Sequence, residues 1–318
     1  MNNASTNNGL AQGGALALAG PVSSVSMAGK TCVVTGASSG IGKATAQALA
    51  AMGAEVVMVC RSRERGEAAL SEIQGALQGQ GRLELKLADL SIMSATRALG
   101  DDLKRNHPRI HVLVNNAGAI FRHRNVTPEG LEYTFALNHM SYFILTTQLL
   151  DTLKGSAPAR IINVSSGAHT RGKIPLDDLQ YKRAYNPFAA YSDTKLANVL
   201  FTYELARRLE GSGVTCNCMH PGAVATGFSS QDGPPLFKWF FKWFRPFLLT
   251  PERGAETAVY LASSPAAEGV SGKYFIRCKM TRSSRRSRDE ELAQKLWEAS
   301  ERLLRGTATT VREQYPPR

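Results

Sequence analysis

The sequence has 318 residues and a formal net charge of +12, from 38 lysines and arginines against 26 aspartates and glutamates. The length and a hydrophobic content of 43% allow one large α/β domain or two smaller ones with a substantial core. The five cysteines include no Cys-x-x-Cys pair, and their odd number argues against a disulfide framework or a zinc site and favours reduced, buried thiols.

Residues 1–28 carry no charged side chain and are rich in Asn, Ser, Gly and Ala, so we predict a disordered leader before a domain that spans 29–306. The apolar run Ala15–Ala19 is too short to span a bilayer and follows no basic segment of a secretory signal. A transit peptide is disfavoured because the leader has no arginine. No run of about 18 apolar residues occurs, so we expect no membrane span and a cytoplasmic location, with peripheral membrane contact as the alternative.

A glycine-rich turn follows the first predicted strand. Thr31–Thr35 is short, apolar and β-branched, which indicates a buried strand, and Gly36–Gly42 leads into a helical pattern over Lys43–Met52. Between a strand and a helix, such a turn lets backbone N–H groups approach a pyrophosphate. The spacing Gly-x-x-x-Gly-x-Gly differs from the commonest dinucleotide fingerprint, and a plain tight turn is the alternative.

The second predicted strand, Glu55–Cys60, ends at Arg61. NAD-binding folds usually place an acidic residue at this point for the ribose 2′-hydroxyl. A cation suits a 2′-phosphate instead, and an acid would repel one, so the sequence predicts NADP(H). An ordinary basic loop is the alternative, because Arg63 and Arg65 follow closely.

Strands and helices alternate along the rest of the domain. Further strands are predicted near Leu83–Leu87, His111–Val114, Arg160–Val164 and Val214–Met219. This alternation predicts an α/β fold, a Rossmann-type doubly wound parallel sheet with helices on both faces, in a single domain. The carboxyl ends of parallel strands meet at one edge of such a sheet. The segments expected there are Gly36–Gly42, Arg61, Asp89, Asn115–Gly118 and Ser165–Ser166.

Two helical patterns carry candidate catalytic residues. The pattern Leu131–Leu153 contains Asn138, which either faces solvent or perturbs the helix to hold a catalytic water. Tyr191 and Lys195 are four residues apart on another predicted helix, so their side chains share one face. An ammonium near a phenol favours the phenolate, and we therefore expect Lys195 to lower the pKa of Tyr191. A chance pairing on a helix surface is the alternative.

Taken together, the motifs resemble the short-chain dehydrogenase/reductase family over about Gly29–Tyr274. The resemblance rests on Thr35-Gly36-x3-Gly40-x-Gly42, Asn115-Asn116-Ala117-Gly118, Asn138, Ser166, Tyr191-x3-Lys195 and Pro221-Gly222, in the order of the family. Within it, the chain looks like the retinol dehydrogenase branch, through Cys60-Arg61, Asn138-His139, Leu196–Phe201, His220-Pro221-Gly222 and Ser271–Phe275. The related light-dependent protochlorophyllide reductases match less well.

The resemblance implies a role for each site residue. Tyr191 would be the general acid or base, Lys195 would assist it and hold the nicotinamide ribose, and Ser166 would bind the substrate oxygen. Asn138 would anchor a water in the proton relay. Cofactor contacts are implied for Gly36, Ser38, Ser39, Gly40, Ile41, Arg61, Asp89, Leu90, Asn116, Ala117, Gly118, Tyr191, Lys195, Pro221, Gly222 and Thr226.

The stretch 234–251, within a lid-like insertion predicted at 228–251, is rich in aromatic and basic residues. Leu236, Phe240, Trp243 and Phe247 recur near helical spacing, as in helices that lie in a membrane interface. Three interpretations remain open: a lid over an apolar substrate pocket, a peripheral membrane contact, and packing against a second subunit. All of them favour a lipophilic substrate, because so many aromatic side chains are costly to expose.

The C-terminal region predicts a packing helix over Asp289–Arg305 that ends at Gly306, followed by a loose tail over 307–318. Much of the positive charge lies in this region, and because no nucleic-acid-binding motif accompanies it, we favour a solvated surface over a nucleic-acid partner.

His139, His169 and His220 fall in different elements without ligand spacing, so we expect no metal site.

The sequence therefore predicts an NADP(H)-dependent oxidoreductase that interconverts a lipophilic aldehyde or ketone and its alcohol, with a retinal-like compound as the leading candidate. One alternative is a reductase of a chlorin-type double bond, and another is a non-catalytic NADP(H)-binding regulatory protein. The complete set of Asn138, Ser166, Tyr191 and Lys195 argues against the last of these. The family resemblance also implies a homo-oligomer.

Overall fold

The structure is a computed structural model that describes residues 25–224 and 249–314, with side chains described up to residue 306. The strands are β1 (Thr31–Thr35), β2 (Glu55–Cys60), β3 (Arg82–Leu87), β4 (Val112–Asn115), β5 (Ala159–Val164), β6 (Val214–His220), β7 (Tyr274–Ile276) and β8 (Lys279–Thr281). Within the described residues they form one sheet in the order β3-β2-β1-β4-β5-β6-β7-β8, parallel except for the last pair. The predicted doubly wound parallel sheet in a single α/β domain is confirmed.

Helices cover both faces of this sheet. They are α1 (Gly40–Ala51), α2 (Arg63–Ala76), α3 (Met93–Asn106), α4 (Tyr133–Phe135), α5 (Ser141–Lys154), α6 (Pro187–Arg208), α7 (Pro251–Ser263) and α8 (Glu290–Gln314). The helices α1, α2 and α7 share one hydrophobic core with the sheet, and α3, α5 and α6 share the other. Val33 and Val34 of β1 point into different cores and are both fully buried, as expected of a central parallel strand.

The helical pattern predicted over Leu131–Leu153 is interrupted in the structure. A π-helical turn, Ala136–Met140, joins α4 to α5 and contains Asn138. The side chain of Asn138 is hydrogen-bonded to the backbone of Ala119 in the loop after β4. We infer that this contact, made by a residue 19 positions away in the sequence, stabilises the wider turn.

The two ends of the domain differ from the sequence expectation. Met27, which was assigned to the leader, is buried, and its N–H donates to the carbonyl of Met52 (2.7 Å). The helix α8 was expected to end at Gly306 but continues to Gln314. A single glycine costs a helix only about 1 kcal/mol, and no proline follows before Pro316. The short strands β7 and β8 were not predicted from the sequence.

Three sequence predictions fall wholly or largely outside the described residues. They are the disordered leader, apart from residues 25–28, the cofactor contact of Thr226, and the lid-like insertion, apart from its last residues at 249–251. Leu249 is described, and its N–H donates to the carbonyl of Ala223 (2.8 Å), beside the predicted Pro221-Gly222 contact. Of the helices that the structure describes, none combines the length and apolar character needed to cross a membrane.

Candidate active site

A cleft of about 1010 Å³ opens at the carboxyl edge of the sheet. The turn Gly36–Gly42, the residues that follow β2 to β6, and the start of α6 line it. Every predicted site residue that the structure describes contributes to this lining, with the exception of Asn138. The parallel topology thus brings together residues that are up to 186 positions apart in the sequence, from Gly36 to Gly222.

The glycine turn is shaped by close backbone packing against the end of β4. Gly36 has a φ of +67°, and a Cβ there would lie 2.9 Å from the Cα of Ala117. A Cβ on Gly42 would lie 2.3 Å from the carbonyl oxygen of Gly36 and 2.5 Å from Nδ2 of Asn116. The turn therefore requires glycine at both positions. Since Gly40, Ile41 and Gly42 begin α1 on the wall of the cleft, their N–H groups suit the pyrophosphate of a dinucleotide.

Two arginines contribute positive charge to the cleft. Arg61, directly after β2, and Arg65, in the first turn of α2, line the cleft, and Asp89 and Leu90 line it after β3. One carboxylate oxygen of Asp89 accepts hydrogen bonds from the N–H and the hydroxyl of Ser91 (3.0 and 2.6 Å), which fixes the loop. The two guanidinium groups fit a phosphate better than a bare ribose hydroxyl.

Asn138 is fully buried and connects three segments behind the cleft. Its Oδ1 accepts from the N–H of Ala119 (2.8 Å), and its Nδ2 donates to the carbonyl of Ala119 (2.9 Å) and to the hydroxyl of Thr194 on α6 (3.1 Å). A Cβ on Gly118 would lie 3.2 Å from this Oδ1 and 3.4 Å from Nζ of Lys195. The side chain therefore holds the loop after β4 close to the lysine.

Tyr191 and Lys195 lie one turn apart on α6, where the sequence places them. The helix begins at Pro187, and the side chain of Asn186 caps it by accepting from the N–H groups of Phe188 and Ala189 (both 3.0 Å). The ammonium of Lys195 donates to the carbonyl of Val164 at the end of β5 (3.0 Å). It also lies 5.6 Å from the centroid of the Tyr191 ring.

Burial controls the acidity of both groups. It lowers the pKa of Lys195 from 10.5 to about 7. It raises the pKa of Tyr191 from 10.0 to about 12, although a hydrogen bond with Ser166 acts in the opposite direction. The predicted net lowering of the pKa of Tyr191 is therefore absent in the chain by itself, because burial outweighs the nearby cation and low-dielectric surroundings disfavour the phenolate.

The two neighbouring serines have different surroundings. The hydroxyl of Ser165 donates to the carbonyl of Lys195 (2.8 Å), so it serves the packing of α6 against β5. Ser166 begins the 3₁₀ turn Gly167–Arg171, and its Oγ accepts from the N–H of Ala168 (3.2 Å) while also contacting Tyr191. Of these two serines, Ser166 is thus the one that lies beside the tyrosine.

Sequence reasoning missed several residues around the site. Phe121, Leu137, Arg171 and Phe188 line the cleft. Tyr142 lies behind it, fully buried, with its ring centroid 5.8 Å from Nζ of Lys195. The position of Tyr142, four residues after Asn138, is a signal that could have identified it, because such residues share a helix face.

Comparisons with known proteins agree with this geometry. The family model described as short chain dehydrogenase matches residues 30–235. Retinol dehydrogenase 14 of Homo sapiens is 44% identical over 294 residues, which cover 87% of this chain and 87% of that protein. A crystal structure of an uncharacterized protein from Mycobacterium Paratuberculosis has a TM-score of 0.72 and 32% identity, covering 89% of this chain and 97% of that chain. The NADP active-site complex of RhlG from Pseudomonas aeruginosa has a TM-score of 0.62 and 29% identity, covering 79% of this chain and 95% of that chain.

Proposed function

This chain belongs to the short-chain dehydrogenase family, and from that premise we propose that it is an NADP(H)-dependent enzyme that interconverts a lipophilic aldehyde or ketone and its alcohol. The observation that carries the proposal is the meeting of Ser166, Tyr191 and Lys195 on one wall of the cleft that the glycine turn begins. An oxidoreductase acting on an alcohol or a carbonyl needs a proton donor, a hydrogen bond to the oxygen and a dinucleotide site, and the residues that line this cleft suit all three needs.

Tyr191, Ser166 and Lys195 would each have a separate role at the substrate oxygen. A bound nicotinamide would supply or accept the hydride at the substrate carbon. Tyr191 donates the proton to the carbonyl oxygen during reduction, and its pKa of about 12 keeps it protonated at neutral pH. Ser166 hydrogen-bonds the same oxygen, and the ammonium of Lys195 favours the phenolate that forms as the proton leaves.

The choice of NADP(H) over NAD(H) rests on the two arginines after β2. Arg61 lies at the position where an acidic residue would bind a ribose 2′-hydroxyl, and Arg65, in the first turn of α2, lines the same cleft. Guanidinium groups bind phosphate with two parallel hydrogen bonds, which makes them effective partners of a 2′-phosphate. The bound NADP of the RhlG structure supports this choice by analogy.

The lipophilic character of the substrate rests on the rest of the lining. Phe121, Leu137 and Phe188 contribute apolar surface to the same cleft as Tyr191. Phe188 is 45% exposed, although it lies only three residues before Tyr191 on α6. An apolar substrate would cover this ring. The name of the retinol dehydrogenase relative supports an apolar aldehyde or alcohol.

The proposal is tested by following the oxidation of NADPH, beside NADH, with aldehydes and ketones of rising chain length. We expect turnover that increases with apolar length and prefers NADPH. Tyr191→Phe should lower kcat by about 10² or more, because proton transfer is lost, and should retain NADPH binding in calorimetry. Tyr260→Phe, on α7 at the other face of the sheet, is the matched control. Unchanged turnover in Tyr191→Phe would refute the mechanism.

A further inference from the structure

Two histidines bind the peptide group that joins Ser166 to Gly167, one at each of its polar atoms. The carbonyl oxygen of Ser166 lies 2.7 Å from Nδ1 of His169, and the N–H of Gly167 donates to Nδ1 of His220 (3.1 Å). The backbone N–H of His169 donates to the same carbonyl (3.1 Å). Because a peptide group is planar, fixing both of its polar atoms fixes its orientation and the position of the Ser166 Cα in its plane, and this restrains where the hydroxyl of Ser166 can lie.

The hydrogen bonds determine the tautomer of His169. Its Nε2 accepts from the N–H of Ser284 (3.3 Å), and a backbone N–H can only donate. The ring proton therefore lies on Nδ1 and is donated to Ser166. The side chain is 3% exposed and packs against the ring of Tyr274, whose hydroxyl lies 3.4 Å from the same Nδ1.

His220 has the opposite tautomer. Its Nδ1 faces the N–H groups of Gly167 and Gly222 (3.1 and 3.4 Å), so this nitrogen is unprotonated and the ring proton lies on Nε2. Burial, aided by the neighbouring His169, lowers the pKa of His220 to about 4, and burial also lowers the pKa of His169. Both rings are therefore neutral at physiological pH, which these contacts require.

We propose that His169 and His220 are positioning residues for Ser166 and act as a pair on its peptide group. The inference rests on the proposed function, since it assigns the pair to the residue that binds the substrate oxygen. It also extends the site, because His169 is oriented by Ser284 and His220 joins the Ser166 turn to the Pro221-Gly222 loop. The lone pairs that a metal would need, on Nε2 of His169 and Nδ1 of His220, are already accepting from backbone N–H groups.

The first test compares variants that remove or keep the hydrogen bonds. His169→Leu and His220→Leu should each lower kcat by about 10- to 100-fold, with little change in KM or NADPH binding, since small displacements of a catalytic group act on the transition state. His169→Asn and His220→Asn should recover most of this loss, because the amide can donate or accept near the position of Nδ1. Such rescue distinguishes positioning from a general loss of packing.

His111 provides the matched control. Its Nδ1 accepts from the N–H of Thr31 (3.0 Å) and the residue is buried, but it lies at the opposite edge of the sheet, where β1 and β4 begin. His111→Leu should lower the thermal midpoint without lowering kcat more than about twofold. The inference is wrong if the His169 and His220 variants lose kcat no more than this control does at a similar loss of stability.

The second test is independent of turnover. Nitrogen-15 NMR of the histidine rings should show the Nδ1–H tautomer for His169 and the Nε2–H tautomer for His220 at neutral pH, with signals assigned through the Asn variants. An Nδ1–H tautomer at His220 would overturn the inference, whatever the activity. If Ser166→Ala retains full turnover while both tautomers are as expected, the proposed role of Ser166 fails, and with it the positioning role of the pair.

Discussion

Replacing Lys195 with methionine should make the protein more stable and much less active. Lys195 is 3% exposed, and its ammonium donates to one carbonyl, that of Val164. No carboxylate forms an ion pair with it in the described part of the chain. A buried charge without an opposite charge destabilises the folded state, and methionine fills a similar volume without that cost.

The size of the effect follows from the pKa of Lys195. Burial lowers it from 10.5 to about 7. At about 1.4 kcal/mol for each tenfold change in proton affinity, this difference corresponds to at most about 5 kcal/mol. Replacements of buried charges by apolar residues gain about 1 to 4 kcal/mol, so we expect Lys195→Met to raise the free energy of unfolding at pH 6 to 7 by about 2 to 4 kcal/mol.

The sign of the pH dependence is fixed by linkage. Below pH 7 the lysine is protonated in the folded and unfolded states, and the cost of burying the charge is fully present. Between pH 7 and 10.5 the unfolded chain holds a proton that the folded chain has released, so the wild type gains stability as the pH rises. The advantage of Lys195→Met should therefore fall by about 3 kcal/mol between pH 6.5 and 9.5, which leaves the two proteins about equally stable near pH 9.5.

Urea unfolding of the wild type and the variant at pH 6.5, 8 and 9.5 would measure this difference. Lys154→Met, an exposed lysine on α5, is the control and should change stability by less than about 0.5 kcal/mol at each pH. The kcat of Lys195→Met should fall by about 10² or more, because the phenolate of Tyr191 loses its cation. A variant that is less stable at pH 7, or whose advantage does not depend on pH, would refute the reasoning.

Two further substitutions test the two ends of the cofactor site. Gly42→Ala should lower the free energy of unfolding by about 2 to 4 kcal/mol and abolish NADPH binding, because its Cβ would lie 2.3 Å from the carbonyl oxygen of Gly36. The control is Gly75→Ala, in open space on α2, which should be neutral or stabilising by up to about 1 kcal/mol. Thermal unfolding with and without NADPH measures both, and a Gly42→Ala protein that binds NADPH normally would contradict the packing argument. Arg61→Ser should raise KM for NADPH by about 10- to 100-fold and leave KM for NADH within about twofold, since one charge-assisted contact to phosphate is lost. Equal effects on the two cofactors in steady-state kinetics would exclude Arg61 as the phosphate ligand.

The fold could be predicted from the sequence because six of its strands are apolar, β-branched or bounded by clear turn residues. Glu55–Cys60, for example, is an apolar, β-branched run that ends at a change of composition, and the structure reproduces its bounds. The parallel order then determines which strand ends meet, and this rule alone places Ser166 and Asn116 in one cleft. By contrast, β7 and β8 have only three residues each, too few for a period to appear.

Other features depend on contacts between distant residues, and no local pattern encodes them. The π-helical turn around Asn138 depends on Ala119, and the roles of His169 and His220 depend on which backbone groups their nitrogens meet. The pKa of Tyr191 shows the same limit in electrostatics. Sequence spacing identified the nearby cation correctly, but the larger effect is burial, which only the packed structure reveals.

The region after residue 249 contacts the residues of the candidate site from behind, although the family model ends at residue 235. The N–H of Ser284 orients His169, and the hydroxyl of Ser300 on α8 lies 3.0 Å from Nε2 of His139, the neighbour of Asn138. The ring of Trp297 on α8 stacks on Phe201 of α6, the helix that carries Tyr191 and Lys195. Hydrogen bonds and ring contacts of this kind restrain the side chains that they join, so we expect substitutions in the C-terminal segment to affect the geometry of the candidate site as well as the stability of the fold.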